Sequence, residues 1–503
     1  MRTGGNFKHL KRLIRMPIAF DNSYARLPER FFERVAPARP PAASLIRLNH
    51  ALAAELGLDP QWLAGPDGLA FLSGGGIAGG SDPIATAYAG HQFGQFVPQL
   101  GDGRAILLGE VVDRDGRRRD LQLKGAGRTP FSRGGDGRAA LGPVLREYLL
   151  SEAMAALGIP TTRALSAVAT GETVLREAPL PGASLVRVAS SHVRIGTFQY
   201  FAAQGDVEAV RLLADHVIER HFPAAAATAH AHRALLDAVI AGQAELVARW
   251  LSVGFVHGVM NTDNASIAGE TIDYGPCAFL DAYDPAKTFS SIDRQGRYAF
   301  GNQPRIAHWN LTRLAEAMLP LLADDQESAI AQAQEALAAF GPRFERAYYR
   351  GLSAKLGLFI SSDGDVELAG DLLAIMAAHE IDFTLLFRNL GLAAAGEDSP
   401  VRSLFADPTA FDAWATGWRE RLRHEPRDPA ERRAAMDAVN PAFIARNHRV
   451  EAMITAAVEH NDFAPFEELL EALARPFEDQ PHFAHLALPP QPHERVLATY
   501  CGT

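Results

Sequence analysis

One short stretch of the sequence, HGVMNTDNASIAGETIDYGP, concentrates side chains that could bind a metal ion. It places Asp263 and Asn264 side by side and adds Asp273 ten residues after the first aspartate. Carboxylate and amide oxygens are ligands that Mg²⁺ takes, and the phosphates of a nucleotide commonly complete such a site. The stretch therefore predicts a cradle for a divalent cation. Taken alone, Asp-Asn pairs occur more often in local turns, and Asp273 could simply cap the next segment.

The triplet Asp273-Tyr274-Gly275 strengthens the metal interpretation. Protein kinases hold metal ions with the aspartate of an Asp-Phe-Gly triplet and with an asparagine of the preceding catalytic loop. The spacing here is shorter, but the ligand types are the same and follow the same order. Such a site would also need a glycine-containing turn, a lysine on a following strand and a glutamate on the next helix.

Those three features precede the metal stretch in the required order. A three-stranded meander is predicted for FVPQLGDGRAILLGEVVDRDGRRRDLQLKGAG, because turn residues separate its apolar and alternating runs. Gly101 and Gly103 lie in its first turn, and Lys124 ends its third strand. Apolar periodicity then predicts a helix that carries Glu147. Each feature alone is weak evidence, but together they favour a nucleotide site over solvated turns and edges.

Further basic residues and a second tight loop could contact phosphates. Arg104, Arg187 and Arg194 are candidates, because planar guanidinium groups match phosphate oxygens in geometry and charge. The loop GGDGRAA, around Asp136 and Gly137, is another candidate. The alternative is that Arg187 and Arg194 are ordinary surface ion-pair partners.

The composition is that of a globular, enzyme-sized protein. The chain has 503 residues, of which 48% are hydrophobic and 21% are charged, enough for more than one domain core. A net charge of −10 and the lack of a long apolar run argue against nucleic-acid and membrane partners. Only Cys277 and Cys501 occur, which disfavours a disulfide-stapled secreted fold. We expect a cytoplasmic, bacterial-type protein.

Four regions are expected along the chain, and they make the fold class α+β. Residues 1–80 form an N-terminal segment packed on the next region, and residues 81–200 form a β-rich nucleotide-binding lobe. Residues 201–310 form an α-rich lobe with the catalytic and metal motifs. Residues 311–503 form a helical C-terminal extension, because their apolar residues recur at helical spacing.

Long stretches of the chain closely resemble the selenoprotein O family, also called the YdiU family. The motifs that carry the resemblance include YAGHQFGQFVPQLGDGRAILLGE, VRVASSHVRIGTFQYF and HGVMNTDNASIAGETIDYGPCAFLDAY, and the resemblance spans nearly the whole chain. It implies a protein-kinase-like, two-lobed fold. It also implies a protein adenylyltransferase that binds ATP in a reversed orientation, so that AMP rather than the γ-phosphoryl group is transferred. Mg²⁺ would be the metal, with Mn²⁺ as an alternative.

The resemblance also implies a role for each candidate residue. Asp263 would be the proton acceptor, and Asn264 and Asp273 would be the metal ligands. Lys124 would form an ion pair with Glu147. The implied nucleotide contacts are Gly101, Gly103, Arg104, Lys124, Asp136, Gly137, Arg187, Arg194 and Asp273. The acceptor would be a Ser, Thr or Tyr hydroxyl of another protein, and pyrophosphate would be released.

Two other functions stay open at this point. A conventional protein kinase would transfer the γ-phosphoryl group instead of AMP. A non-catalytic, ATP-binding pseudokinase is the third class, and Asp263 argues against it because a scaffold needs no base beside its metal ligands. In each case we expect a monomer.

The two cysteines raise the question of redox control. Redox-regulated members of the family pair a C-terminal Cys or selenocysteine with a Cys that follows the Asp-Tyr-Gly triplet. The only candidates here are Cys501 and Cys277, and Cys277 lies very close to the triplet. Either oxidation joins the two, or Cys277 is a small buried core residue and Cys501 is an exposed thiol.

Overall fold

The structure, a computed structural model, describes residues 18–500 and the backbone of Leu13–Ile14. Strands dominate the early part of the chain and helices the later part. The strands are β1 (Leu13–Ile14), β2 (Phe32–Arg34), β3 (Ser44–Leu48), β4 (Ile77–Ala78), β5 (Ile84–Thr86), β6 (Gly90–Gln92), β7 (Gln95–Val97), β8 (Ala105–Val112), β9 (Arg118–Lys124), β10 (Ala139–Ala140), β11 (Arg163–Leu175), β12 (Pro179–Ala189), β13 (Phe255–Val256) and β14 (Ala278–Phe279).

The helices carry most of the later chain. They are α1 (His50–Glu55), α2 (Pro60–Ala64), α3 (Pro66–Leu72), α4 (Leu141–Ala156), α5 (Ile195–Ala202), α6 (Val207–His221), α7 (Pro223–Ala226), α8 (Ala231–Ser252), α9 (Gln303–Leu322), α10 (Gln326–Ala338), α11 (Phe340–Lys355), α12 (Asp365–Ala378), α13 (Phe383–Ala394), α14 (Ser399–Arg402), α15 (Thr409–Leu422), α16 (Pro429–Asp437), α17 (Asn447–His460), α18 (Ala464–Leu473) and α19 (Ala484–Ala487). Among the described residues, no helix is long and apolar enough to cross a membrane.

Most of the early strands form one antiparallel sheet. Its order is β2-β5-β8-β9-β12-β11-β3, and β10 adds to β12. The long strands β11 and β12 pair with each other, and β9 lies between β12 and β8. The pairs β6-β7 and β13-β14 stand apart from this sheet as short two-stranded units. The structure therefore confirms a mixed α/β protein built around an antiparallel sheet.

The alternation of side chains along β9 separates polar groups from one apolar core. Leu121 and Leu123 belong to the core on one face of the sheet. Since successive side chains of a strand point to opposite faces, Gln122 and Lys124 face the other way, towards α4. In the register of β9 with β12, Arg187 lies opposite Gln122 and shares this face. A polar cluster thus forms between the sheet and α4.

Helices cover both faces of the sheet. The helix α4 packs on one face through apolar side chains that include Val144 and Leu149. The helices α1 and α3 pack on the other face through Leu52 and Phe71. Polar side chains enclosed between α4 and the sheet are therefore largely shielded from water, and buried polar groups need partners within the protein.

The first strand of the predicted meander does not pair with Ala105–Val112 as expected. The strand Ala105–Val112, the strand ending at Lys124 and the helix carrying Glu147 occur as expected. The first strand of the predicted meander was wrong, because β8 pairs with β5, whereas β7 pairs with β6. The physical reason is that Pro98 interrupts the apolar run before Gly101, and proline cannot donate a ladder hydrogen bond.

A buried ion pair joins the late helices to the segment that follows the metal stretch. Arg446 is 1% exposed and donates to Asp281 at 2.7 Å and to Asp382 at 2.6 Å. Asp382 also caps α13, because it accepts a bond from the Leu385 backbone nitrogen at 2.9 Å. The guanidinium of Arg446 therefore holds three parts of the chain together.

The substitution Arg446→Met is expected to lower the free energy of unfolding by about 3–5 kcal/mol, because it leaves buried Asp382 without its cation. Urea denaturation followed by circular dichroism measures the change. The matched control is Arg402→Met, since Arg402 pairs with Asp412 at 3.2 Å on the surface. That control should cost less than about 1 kcal/mol. Equal losses in both variants would contradict the assigned role of Arg446.

Candidate active site

The metal stretch forms a loop between the two short strands β13 and β14, which pair antiparallel at its base. His257 ties the loop together, because its Nδ1 accepts from the Val259 backbone nitrogen at 3.4 Å and its Nε2 therefore donates to the Ile272 carbonyl at 2.9 Å. Burial lowers the pKa of His257, which favours this neutral form. The start of the loop is thereby fastened to the residue before Asp273.

Asp273 is the centre of the site, because three cations contact its carboxylate. Arg187 donates to Oδ1 at 2.6 Å, and the Nζ of Lys124 lies 3.5 Å from the same oxygen. Arg194 donates to Oδ2. Burial acts to raise the pKa of Asp273, but the charges of Arg187, Arg194 and Lys124 hold it well below its usual range. Asp273 is therefore an anion at any physiological pH.

The backbone of Asp273 adopts a conformation that side-chain-bearing residues seldom take. Its φ angle is 64°, in the left-handed region. Such conformations cost about 1–3 kcal/mol and persist where the surroundings fix them, often at functional sites. Here the cations hold the side chain, and a bond of 2.9 Å from the Gly275 nitrogen to the Asp273 carbonyl holds the main chain. The carboxylate is thereby directed at the sheet.

Glu147 joins the same cluster from α4. It accepts a hydrogen bond from Lys124 and another, at 2.8 Å, from the Nε of Arg187. Burial acts to raise the pKa of Glu147, but the charges of Arg187 and Lys124 bring it below the usual value. Burial also lowers the pKa of Lys124. The structure therefore places Lys124 and Glu147 in contact, as the nucleotide hypothesis requires.

The cluster carries an excess of positive charge beside a small pocket. Within residues 18–500, Lys124, Arg187 and Arg194 form ion pairs with two carboxylates, those of Glu147 and Asp273. The pocket is lined by Arg104, Lys124, Ala139, Pro143, Val144, Glu147, Leu185, Tyr274 and Gly275. Several cations close to such a pocket are suited to contact phosphate groups.

Asp263 lies in a different electrostatic environment from Asp273. It is 6% exposed, its Oδ1 has no hydrogen-bond partner among the described residues, and Gln92 donates to its Oδ2 at 3.3 Å. Arg194 contacts only its backbone oxygen, at 2.6 Å. Burial consequently raises the pKa of Asp263 to about 6. Two aspartates with pKa values pushed apart suit two different tasks, a proton acceptor and a permanent anion.

Asn264 and Asp273 fit a metal ion that arrives with a nucleotide. The amide nitrogen of Asn264 donates to the Val259 carbonyl at 2.9 Å, so its side-chain oxygen is the atom left for a ligand. Within residues 18–500, no group of three or more His, Cys, Asp or Glu is arranged to hold a metal. Two oxygen ligands suffice for Mg²⁺ when substrate phosphates supply the rest.

The turn at Gly101 and Gly103 is shaped by close packing. A Cβ atom added at Gly101 would lie 2.3 Å from the Phe131 ring, and one at Gly103 would lie 2.8 Å from the Phe131 carbonyl. Gly101 also has a φ angle of 71°. Between them, buried Asp102 accepts from the backbone and the hydroxyl of Thr86 at 2.9 and 2.6 Å. The turn is therefore rigid, and it delivers Arg104 to the pocket.

Asp136 and Gly137 lie near the cluster without joining it. Asp136 is partly exposed and pairs with Arg176 at 2.9 Å, an interaction that lowers its pKa. The Gly137 carbonyl accepts from the nitrogen of Gly127, in the loop that follows Lys124, at 3.0 Å. The structure thus brings this loop beside the end of β9, while the Asp136 carboxylate is turned to Arg176.

The hairpin of β6 and β7 is a part of the site that the sequence did not reveal. The His91 nitrogen donates to the hydroxyl of Thr262, next to Asp263, at 2.7 Å. A Cβ atom added at Gly90 would lie only 2.3 Å from the Oδ1 of Asp263. The hairpin therefore forms a wall against the loop that carries Asp263. The available signal was the pair Gly90 and Gly94 within GHQFGQ.

Arg146 is a second positioning residue that the sequence did not reveal. It donates to the Gly275 carbonyl at 2.9 Å and to the Cys277 carbonyl at 2.5 Å. It also pairs with Glu451 of α17 at 3.0 Å. Since Arg146 and Glu147 are neighbours on α4, one helical turn fixes both the cation cluster and the segment after Asp273.

The cysteine hypothesis stays a prediction. Cys277 is fully buried, whereas Cys501 lies outside the described residues. Thr499 donates to the Pro276 carbonyl and bridges to Ser290. The end of the described chain is therefore anchored beside the backbone of Cys277.

The sequence is similar over nearly its whole length to members of one family. The family described as "Protein adenylyltransferase SelO" matches residues 15–474. The proteins named "Protein nucleotidyltransferase YdiU" from Methylorubrum extorquens and Rhodopseudomonas palustris (strain BisB18) are 68% identical over 492 residues and 66% identical over 485 residues. The protein of the same name from Bradyrhizobium sp. (strain BTAi1) is 65% identical over 485 residues. Each alignment covers 96% of this chain and 99% of the relative.

The substitution Asp263→Asn is expected to stabilise the fold above pH 6. The folded-state pKa of about 6 lies above the ordinary 3.8, so the folded chain keeps a proton that the unfolded chain releases. That contribution to stability is present at low pH and is lost as pH rises from about 4 to about 6. Removing the buried charge should therefore gain about 1–3 kcal/mol at pH 8 and little at pH 4.

Thermal unfolding at both pH values measures this difference. The matched control is Asp115→Asn, which removes a carboxylate from an exposed turn position and so changes no buried charge. Destabilisation of Asp263→Asn at pH 8, or an equal shift at both pH values, would contradict the assigned environment of Asp263.

Proposed function

Because the chain belongs to the SelO/YdiU family and is a protein nucleotidyltransferase, we propose that it transfers AMP from ATP to Ser, Thr or Tyr hydroxyls of client proteins. The observation that carries the proposal is the contrast between the two aspartates. Asp273 forms ion pairs with three cations. Asp263 is buried, its Oδ1 has no hydrogen-bond partner among the described residues, and its pKa is raised. The first arrangement suits phosphates, and the second suits a proton acceptor.

In the proposed reaction, the acceptor hydroxyl oxygen attacks the α-phosphorus of ATP. The bond to the β-phosphate oxygen breaks, and pyrophosphate leaves with the bonding electron pair. Asp263 takes the hydroxyl proton through the oxygen that has no other partner among the described residues. A general base works best when its pKa lies near the working pH, and a value of about 6 meets that condition.

The cations would bind the β- and γ-phosphates. Arg187 and Arg194 donate hydrogen bonds to Asp273, and Lys124 forms an ion pair with it. Phosphate oxygens would take over these contacts and leave the Asp273 carboxylate available, with Asn264, to hold Mg²⁺ or Mn²⁺. When bound, the metal would neutralise charge on the phosphates. The cations themselves would stabilise the pyrophosphate leaving group.

A conventional kinase is the second candidate, and the number of arginines weighs against it. A kinase needs one lysine on the sheet to contact its phosphates. Here Arg187 and Arg194 add two fixed guanidinium groups at the same place, which suits a buried pyrophosphate. A non-catalytic pseudokinase would leave the buried Asp263 without a task, although burying its charge is costly.

The proposal includes the features that the resemblance implied for the whole chain. They are a protein-kinase-like, two-lobed arrangement, the four regions described above, a monomeric state and a cytoplasmic location in bacteria. The support comes from the order of the sheet, α4 and the metal loop along the chain, which is the order of the corresponding parts in kinases.

Labelled ATP distinguishes the candidate functions. Client proteins, or the enzyme itself, should gain label from ATP labelled at the α-phosphate and none from ATP labelled at the γ-phosphate. Intact mass should rise by one AMP residue per site. The variant Asp263→Asn should bind ATP normally but lose transfer by about 10²–10⁴-fold, because it lacks the base. Label from the γ-phosphate alone would identify a kinase and exclude the proposed reaction.

A further inference from the structure

A cationic surface that the proposed transfer chemistry does not use is formed by Arg297, Trp309 and Arg313, named here the arginine platform. The guanidinium carbons of Arg297 and Arg313 lie 4.7 and 5.1 Å from the centre of the Trp309 ring. All three side chains are partly exposed. Arg313 pairs with Glu316 at 2.7 Å, whereas Arg297 forms no ion pair within residues 18–500. The carboxylate of Asp293 accepts from the Arg297 backbone nitrogen at 2.9 Å and not from its side chain, so the Arg297 guanidinium remains available to a partner.

The hairpin of β6 and β7 connects the arginine platform to Asp263. At its tip, a Cβ atom added to Gly94 would lie 3.5 Å from the guanidinium carbon of Arg297. Two residues earlier, Gln92 donates to the Asp263 carboxylate. The His91 ring also lies edge-on to the tryptophan of the platform, with 5.2 Å between ring centres. The hairpin thus contacts Asp263 through Gln92, and it contacts the arginine platform through His91 and Gly94.

A single buried side chain locks the hairpin and the platform to the catalytic loop. Asn261 lies two residues before Asp263, and its Oδ1 accepts from the Phe93 nitrogen at 3.1 Å. The same oxygen accepts from the hydroxyl of Tyr298, the neighbour of Arg297, at 2.6 Å. The platform is therefore held at a fixed position relative to the proton acceptor, which a substrate-selecting surface requires.

The chemistry of this surface favours an acidic peptide. The chain as a whole carries a net charge of −10, so two neighbouring arginines on one partly exposed surface run against the general trend. Partly exposed guanidinium groups bind carboxylates through charge-assisted hydrogen bonds. Phe96, on the outer strand of the hairpin, is 40% exposed and adds an apolar contact. Aromatic and arginine side chains together are typical of protein-binding surfaces.

We propose that the arginine platform recognises acidic side chains close to the acceptor hydroxyl, so that the enzyme selects acidic segments of its client proteins. This inference rests on the proposed transferase function, since it names the substrate class of that same site. A carboxylate of the client would bind Arg297 while the neighbouring hydroxyl reaches Asp263. The platform acts by positioning and does not touch the reacting atoms.

Three peptides test the proposal. They have one length and one central serine, which is flanked by Asp, Ala or Lys, and each carries a fluorescent label. The native protein should bind the Asp peptide about 5–10-fold more tightly than the Ala peptide and should bind the Lys peptide most weakly, as expected for partly exposed ion pairs. Fluorescence anisotropy measures binding. With α-labelled ATP, kcat/KM should follow the same order, mainly through KM.

Charge reversal provides the sharper comparison. Arg297→Glu and Arg313→Glu should invert the order and favour the Lys peptide. Arg343→Glu reverses an exposed arginine on α11 and is the matched control, which should keep the native order. Calorimetry with ATP and the midpoint of thermal unfolding should give native values for Arg297→Glu, because this residue lies outside the proposed phosphate cluster.

Four results would contradict either the peptide-recognition proposal or the proposed function. Equal binding of the three peptides by the native protein, or an unchanged order in Arg297→Glu, would overturn the proposal. A loss of ATP affinity in Arg297→Glu would also overturn it and would assign that cation to the nucleotide. Label from the γ-phosphate in place of the α-phosphate would instead contradict the proposed function. The ranking of the three peptide affinities by anisotropy would still test the arginine platform independently.

Discussion

The contact of one carboxylate with three cations is the interaction on which the site depends. Asp273 draws Lys124 from β9, Arg187 from β12 and Arg194 from the start of α5 to a single point. Without that anion, these cations would repel one another in a poorly hydrated space, and their surplus over Glu147 would be larger. The sheet, α4 and the metal loop are thereby joined by electrostatics as well as by packing.

The same electrostatic arrangement shifts the pKa values of the two aspartates in opposite directions. Asp273 is surrounded by positive charge, which lowers its pKa and keeps it ionised, whereas Asp263 is buried without an ion pair among the described residues and has a pKa of about 6. The difference arises from position alone, since the residues are ten apart on one loop. The proposed transfer reaction needs both properties, an anchor for charge and an acceptor for a proton.

Sequence periodicity predicted the strand and the helix that carry residues of the site. The alternation of β9 and the period of α4 placed Lys124 on a strand and Glu147 on a helix, and the comparison with protein kinases then proposed them as partners. The hairpin against Asp263 could not be predicted, because its contacts join His91 to Thr262 across a long separation in the chain. Arg146 was missed for a similar reason, since helical periodicity does not reveal which distant carbonyl groups a helix will meet.

In the proposed reaction, the cations release Asp273 to a metal ion only when phosphates take its place. The direct measurement is the affinity for Mn²⁺, determined by calorimetry with and without a non-hydrolysable ATP analogue. We expect the Mn²⁺ affinity to be at least about tenfold higher with the analogue, and we expect Asp273→Asn to lose that gain, because the ligand would be removed. Equal Mn²⁺ affinity with and without the nucleotide would contradict it.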